Sequence, residues 1–112
     1  MDRQECVQVI RNDCLAKNGF LIRLRGGDLL ISGYDNLKAA LINYKGIIGN
    51  EEFIERVVAY CLHFLELELM AATEYFPKTI EETDLIHKIN AEVSFLIETI
   101  FTPSTLMDSF VD

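Results

Sequence analysis

Phe20-Leu21-Ile22-Arg23-Leu24-Arg25-Gly26-Gly27-Asp28-Leu29-Leu30-Ile31-Ser32 is the stretch on which the fold class turns. Two short apolar runs flank a Gly-Gly pair. A tight hairpin turn of type I′ needs positive φ at both central residues, so Gly-Gly between such runs predicts a β-hairpin. The register pairs Arg25 with Asp28, Leu24 with Leu29 and Ile22 with Ile31. Alternation along a strand then puts Phe20, Ile22, Leu24, Leu29 and Ile31 on one face, with Leu21, Arg23, Leu30 and Ser32 on the other. A lone hairpin is marginal in water, so its apolar face requires a helical layer beneath it. Arg23 and Arg25 protect its edge.

The flanking sequence is helical. Asp2 to about Lys17 carries Cys6, Val7, Ile10 and Cys14 on one face, with Asp2 and Glu5 in capping-box positions and Asn18-Gly19 as the stop. After the hairpin, Gly33-Tyr34-Asp35 connects to a short helix whose Leu37, Ala40, Leu41 and Tyr44 form an amphipathic stripe. Glu51–Phe76 is the organising helix. Asn50 caps it, Glu51 and Glu52 stand in its first turn, and its polar residues fall in one stripe roughly 100° wide. Most of its other positions are apolar, so partners are expected on about three sides. Pro77 closes it. Thr79 and Glu82 then cap a last long helix, to about Phe101, with Leu85, Ile86, Ile89, Val93, Leu96, Ile97 and Ile100 inward. The fold class expected is therefore α+β and mostly helical: helix, β-hairpin, short helix, then two long antiparallel helices packed as a small bundle. Residues 1–112 form a single domain, with 102–112 as one more turn or a docked tail built on Leu106, Met107, Phe110 and Val111.

Composition narrows function. Ten basic and eighteen acidic side chains give a net charge of −8. That balance disfavours phosphate backbones and anionic lipid, where Lys and Arg supply the affinity, and suits a basic partner. No apolar run reaches the ~20 residues of a membrane span, and the opening residues do not read as a signal peptide. Three cysteines, with Cys6 and Cys14 about 12 Å apart along one helix, read as reduced thiols in a cytoplasmic protein.

Candidate chemistry is sparse. His63 with Glu66, and Asp84 with His87, have a spacing that can hold metal on a helix, but the further carboxylates of a bundle site are missing, so neither metal nor cofactor is expected. Gly26-Gly27 is too short to cradle phosphate, and no nucleophile stands beside a base. Glu68 falls amid an apolar surface, where it needs a donor or a partner chain. Phe95 lies on the polar face of the last helix, either under the tail or as an aromatic anchor with a polar rim. Glu81, Glu82, Asp84, Glu92 and Glu98 make that helix acidic, and Glu66 and Glu74 extend the negative surface to the central one.

The function expected is a non-enzymatic acidic binding protein. Glu81, Glu82, Asp84, Glu92, Phe95, Glu98, Glu66 and Glu68 would contact a basic protein partner. An immunity or inhibitor protein that neutralises a bacterial toxin, such as a nuclease, by occluding its active or binding surface has this character. The alternative is a dimeric adaptor or secretion-chaperone-like protein holding a partner segment; a small enzyme or metal protein comes third. The chain itself is expected to be a monomer or a homodimer, with no nucleic-acid or membrane partner.

Overall fold

A computed structural model describes residues 1–29, 31–76 and 79–103. Within them the chain forms five helices and no strand: α1 (Arg3–Leu15), α2 (Phe20–Arg25), α3 (Ile31–Ile48), α4 (Arg56–Tyr75) and α5 (Ile80–Phe101). Around the core, α1 packs on α3 and α4, and α5 packs on α4 and α3, which closes a four-helix ring; α2 lies across α1, α4 and α3. The two long helices α4 and α5, separated by four residues, pack against each other as expected for so short a connection. Ile10, Leu37, Leu41, Leu62, Leu65, Leu69, Ile86 and Ile89 are fully buried at the centre. No helix among the described residues is long and apolar enough to cross a membrane.

The expected β-hairpin is absent, and the fold is all-helical rather than α+β. Phe20–Arg25 is a helix whose Phe20, Leu21 and Leu24 are buried, an i, i+1, i+4 pattern that a strand would split between two faces. Leu21, expected on the outer side, is 1% exposed. The Gly-Gly pair ends this helix instead of turning a hairpin. Asp28 N–H donates to the Arg23 carbonyl at 2.9 Å, and Gly27 N–H to the Leu24 carbonyl at 2.9 Å. These are the two bonds of a Schellman cap, which needs one left-handed residue just past the helix. Gly27 supplies it, at φ 89°, whereas Gly26 sits at φ −81°. A type I′ turn would need both positive. The pairing of Arg25 with Asp28 gives way to a surface ion pair between Arg23 and Asp28 at 2.7 Å.

The approach of α2 to α1 depends on Gly19. A Cβ there would lie 2.2 Å from the Asn12 carbonyl oxygen, a backbone atom with no room to move.

Two other boundaries differ. The third helix starts at Ile31 and absorbs the expected connector Gly33-Tyr34-Asp35, because Tyr34 joins Leu37, Ala40, Leu41 and Tyr44 on the buried stripe. The fourth starts at Arg56 rather than Glu51, with Glu55 as N-cap. Nor is α4 enclosed on three sides, since Tyr60, Leu67 and Met70 are exposed. The expected caps of α1 (Asp2 with Glu5) and α5 (Thr79 with Glu82) both form. The expected roles of Leu30, Pro77 and the tail residues Leu106, Met107, Phe110 and Val111 lie outside the described residues.

Candidate functional site

Much of the acidic complement is spoken for inside the fold. Arg3, near the N-terminus, reaches the segment between α3 and α4. Its Nη1 donates to Glu51 at 2.9 Å, and its Nε and Nη2 grip both oxygens of Glu55 at 2.9 and 3.1 Å. Tyr44 adds a 2.6 Å hydrogen bond to Glu55. The Arg3 guanidinium, with Tyr44 beside it, holds the Glu55 carboxyl down at about 2. Burial and this same bond push the Tyr44 phenol up. Glu51 was expected in a helical first turn; nothing local in the sequence shows that Arg3, 48 and 52 positions before Glu51 and Glu55, is their partner.

The eight expected contact residues divide into four groups. Glu68 accepts an ion pair from Arg25 of α2, whose guanidinium also lies 5.4 Å from the Phe64 ring. Its donor thus comes from the protein's own chain. Glu92 is likewise occupied: Lys38 pairs with it and the Tyr34 hydroxyl donates to it at 3.2 Å, tying α5 to α3. Lys38 holds the Glu92 carboxyl below its ordinary range. Glu82 serves the N-cap, since its N–H donates to Thr79 Oγ1 at 3.1 Å and its carboxylate accepts from the Thr79 hydroxyl. Glu66 is half-buried on α4.

Glu81, Asp84, Phe95 and Glu98 remain exposed, and none has an ion pair among the described residues. At about 100° per residue they fall within roughly 100° of one another on α5, with Lys88 and Ala91 on the same strip. Phe95 is 64% exposed on that strip. Glu98 stands one turn beyond it. Asp84 and Glu81 lie about 16 and 21 Å back toward the N-terminus of the helix, where the dipole also favours them. The face is therefore a linear strip with acids at both ends and an aromatic toward one of them.

Three shallow grooves offer little chemistry. One of about 450 Å3, between the C-terminal ends of α3 and α5, is lined by Ile42, Lys45, Gly46, Thr99 and Pro103 among others, and Lys45 is the single ionisable side chain among its described lining residues. A second, of about 250 Å3, gathers Gln8, Asn12, Asp13 and Asn36. Burial pushes the Asp13 carboxyl up, and its Oδ2 is sealed in without a hydrogen-bond partner among the described residues. The third, about 240 Å3, combines Tyr60, His63, Phe64 and Leu67 with the Arg25–Glu68 pair. Acid–base catalysis needs groups that converge on one reacting atom, and the carboxylate that lines this groove, Glu68, is already bound to Arg25. No cluster of three or more His, Cys, Asp or Glu side chains among the described residues is arranged to hold a metal ion. Cys6, Cys14 and Cys61 are free and fully buried. The neighbouring Cys61 thiol and then burial push the Cys14 thiol up, which makes it a poor nucleophile.

The chain matches no protein-family model, no curated protein and no solved structure.

Proposed function

We propose that this protein acts in the cytoplasm by binding, and that the outer strip of α5 covers a basic surface on a protein partner. An immunity or inhibitor protein that blocks a toxin, such as a nuclease, works in this way. The observation that supports the reading is Phe95, a large aromatic left 64% exposed between acidic residues that the fold does not use. Fully desolvated aromatics within a polar rim supply most of the energy at protein interfaces. The acids would steer a positively charged partner into contact, and a net charge of −8 adds to that field. Inhibition then follows from occlusion alone, with no bond made or broken.

The test pairs affinity capture from the source cell with thermal melts of wild type and Phe95→Ala. The expected result is a captured protein with a basic surface, whose affinity falls at least about tenfold in the variant. The melting temperature should move by no more than about 2 °C, since exposed side chains contribute little to stability. A fall of several degrees would mean that Phe95 is packed within the fold. Equal capture by the variant, or a partner without a basic surface, would also overturn the reading.

A further inference from the structure

The outward face of α4 carries a pattern that the binding reading of α5 does not use. Its exposed residues include Arg56, Tyr60, His63, Leu67, Met70 and Glu74, spaced 4, 3, 4, 3, 4. That is the alternation of a coiled-coil seam, and at about 100° per residue all six fall within about 40° of one line along the helix. Tyr60, Leu67 and Met70 are 55%, 53% and 58% exposed, although each is the kind of residue a seam buries. Arg56 and Glu74, at its ends, have no ion pair among the described residues.

We infer that this face binds the same face of a second copy of the chain, as an antiparallel pair of α4 helices whose two-fold axis crosses them midway along the strip, level with the inward-facing Leu65. The chemistry of the six positions selects both the occupant and the direction. In the antiparallel register Arg56 meets Glu74 of the other copy at both ends. Tyr60 meets Met70, an aromatic against a thioether, and His63 meets Leu67. A parallel pairing would set Arg56 against Arg56 and Glu74 against Glu74. Sliding one helix by a heptad would leave the terminal charges unmatched. The seam carries one arginine and one glutamate, so their charges balance on the strip where two chains of net charge −8 would meet. An isologous interface of this kind is the commonest way that chains pair.

The flanks support the same geometry. Phe64 sits beside the seam, held by the Arg25 guanidinium at 5.4 Å and by the edge of Tyr60 at 6.2 Å between ring centres. The axis brings it next to its own copy. On the opposite flank Glu66 approaches its copy, a like-charge contact at the rim. The helix is 20 residues, about 30 Å, long, and pairing along it buries roughly 1,000 Å2 over both chains, the lower end for a specific dimer. The association is therefore expected at micromolar concentrations.

Sedimentation equilibrium of the full chain tests this across the micromolar range. Wild type should move between one and two chain masses. Arg56→Glu should weaken the dimer at least about fivefold, and Arg56→Glu with Glu74→Arg should restore it to within about twofold, because the reversed pair matches again. Leu67→Glu should abolish it with helicity unchanged, and Glu66→Gln should tighten it. A chain that stays monomeric, a double reversal that fails to rescue, or a dimer that responds to Phe95→Ala and not to Leu67→Glu would overturn the inference. If Leu67→Glu misfolds, the charge-reversal series decides alone.

Discussion

Glu55 bears a structural load that its exposure understates. It is half-buried, yet Arg3 and Tyr44 converge on it and hold its carboxyl near 2 against an ordinary 4.5. A carboxylate with a depressed native value stabilises the fold above its unfolded value and loses that contribution as the pH falls through the native one. The window here runs from about 4.5 down to about 2. The shift corresponds to about 3 kcal/mol unscreened, and solvent access to the pair reduces it to about 1–2 kcal/mol. Asp13 has the opposite sign, since burial raises its value and its protonation on acidification favours the fold. In Glu55→Gln the unfolding free energy is lower than wild type at pH 6 by about 1–2 kcal/mol. The two curves should converge near pH 2 in urea titrations. A difference that stays constant with pH would show that the Arg3 clamp does not act through the charge.

Gly26 and Gly27 decide between two local structures that a short apolar run cannot. Phe20, Ile22 and Leu24 satisfy a period of two, while Phe20, Leu21 and Leu24 satisfy a helical turn. Six residues are too few for periodicity to choose, and the choice falls to tertiary contact: Gly19 lets α2 press onto the Asn12 carbonyl, and Leu21 is drawn into the core. The Schellman cap predicts an asymmetry that a hairpin would lack. Gly27→Ala, at φ 89°, should cost about 1 kcal/mol or more, and Gly26→Ala, at φ −81° with 3.5 Å to the nearest atom, should be close to neutral. Equal costs in chemical denaturation would favour a turn with both residues left-handed. Elsewhere the elements were legible where period and caps agree, as at Asp2 with Glu5, Thr79 with Glu82, and the inward stripe of α5. The start of α4 was not legible, because Glu51 and Glu52 suit a first turn as well as they suit the segment that Arg3 engages. Of the candidate contact residues, helical projection places Glu81, Asp84, Phe95 and Glu98 on one face without a structure. It cannot show that Lys38 and Arg25 have claimed Glu92 and Glu68, since those partners lie 54 and 43 positions away.

Taken together, the helices leave two outward faces with different chemistry. That of α4 is nearly neutral and apolar, suited to a copy of itself; that of α5 is acidic with one aromatic, suited to a basic partner. The helices pack side by side but present these strips separately, so a dimer through α4 would leave α5 free and display two acidic strips, which would add avidity against a repetitive or dimeric target. Glu81, Asp84 and Glu98 have no ion pair among the described residues, so reversing their charge costs little beyond the helix-dipole contribution of Glu81, about 1 kcal/mol or less. The measurement that bears most directly on the binding reading is the association rate with the captured basic partner at low ionic strength, for wild type and for Glu81→Lys/Asp84→Lys/Glu98→Lys. The reversed chain should associate at least about tenfold more slowly, with the gap narrowing as salt screens the field. Equal rates at low salt would contradict it.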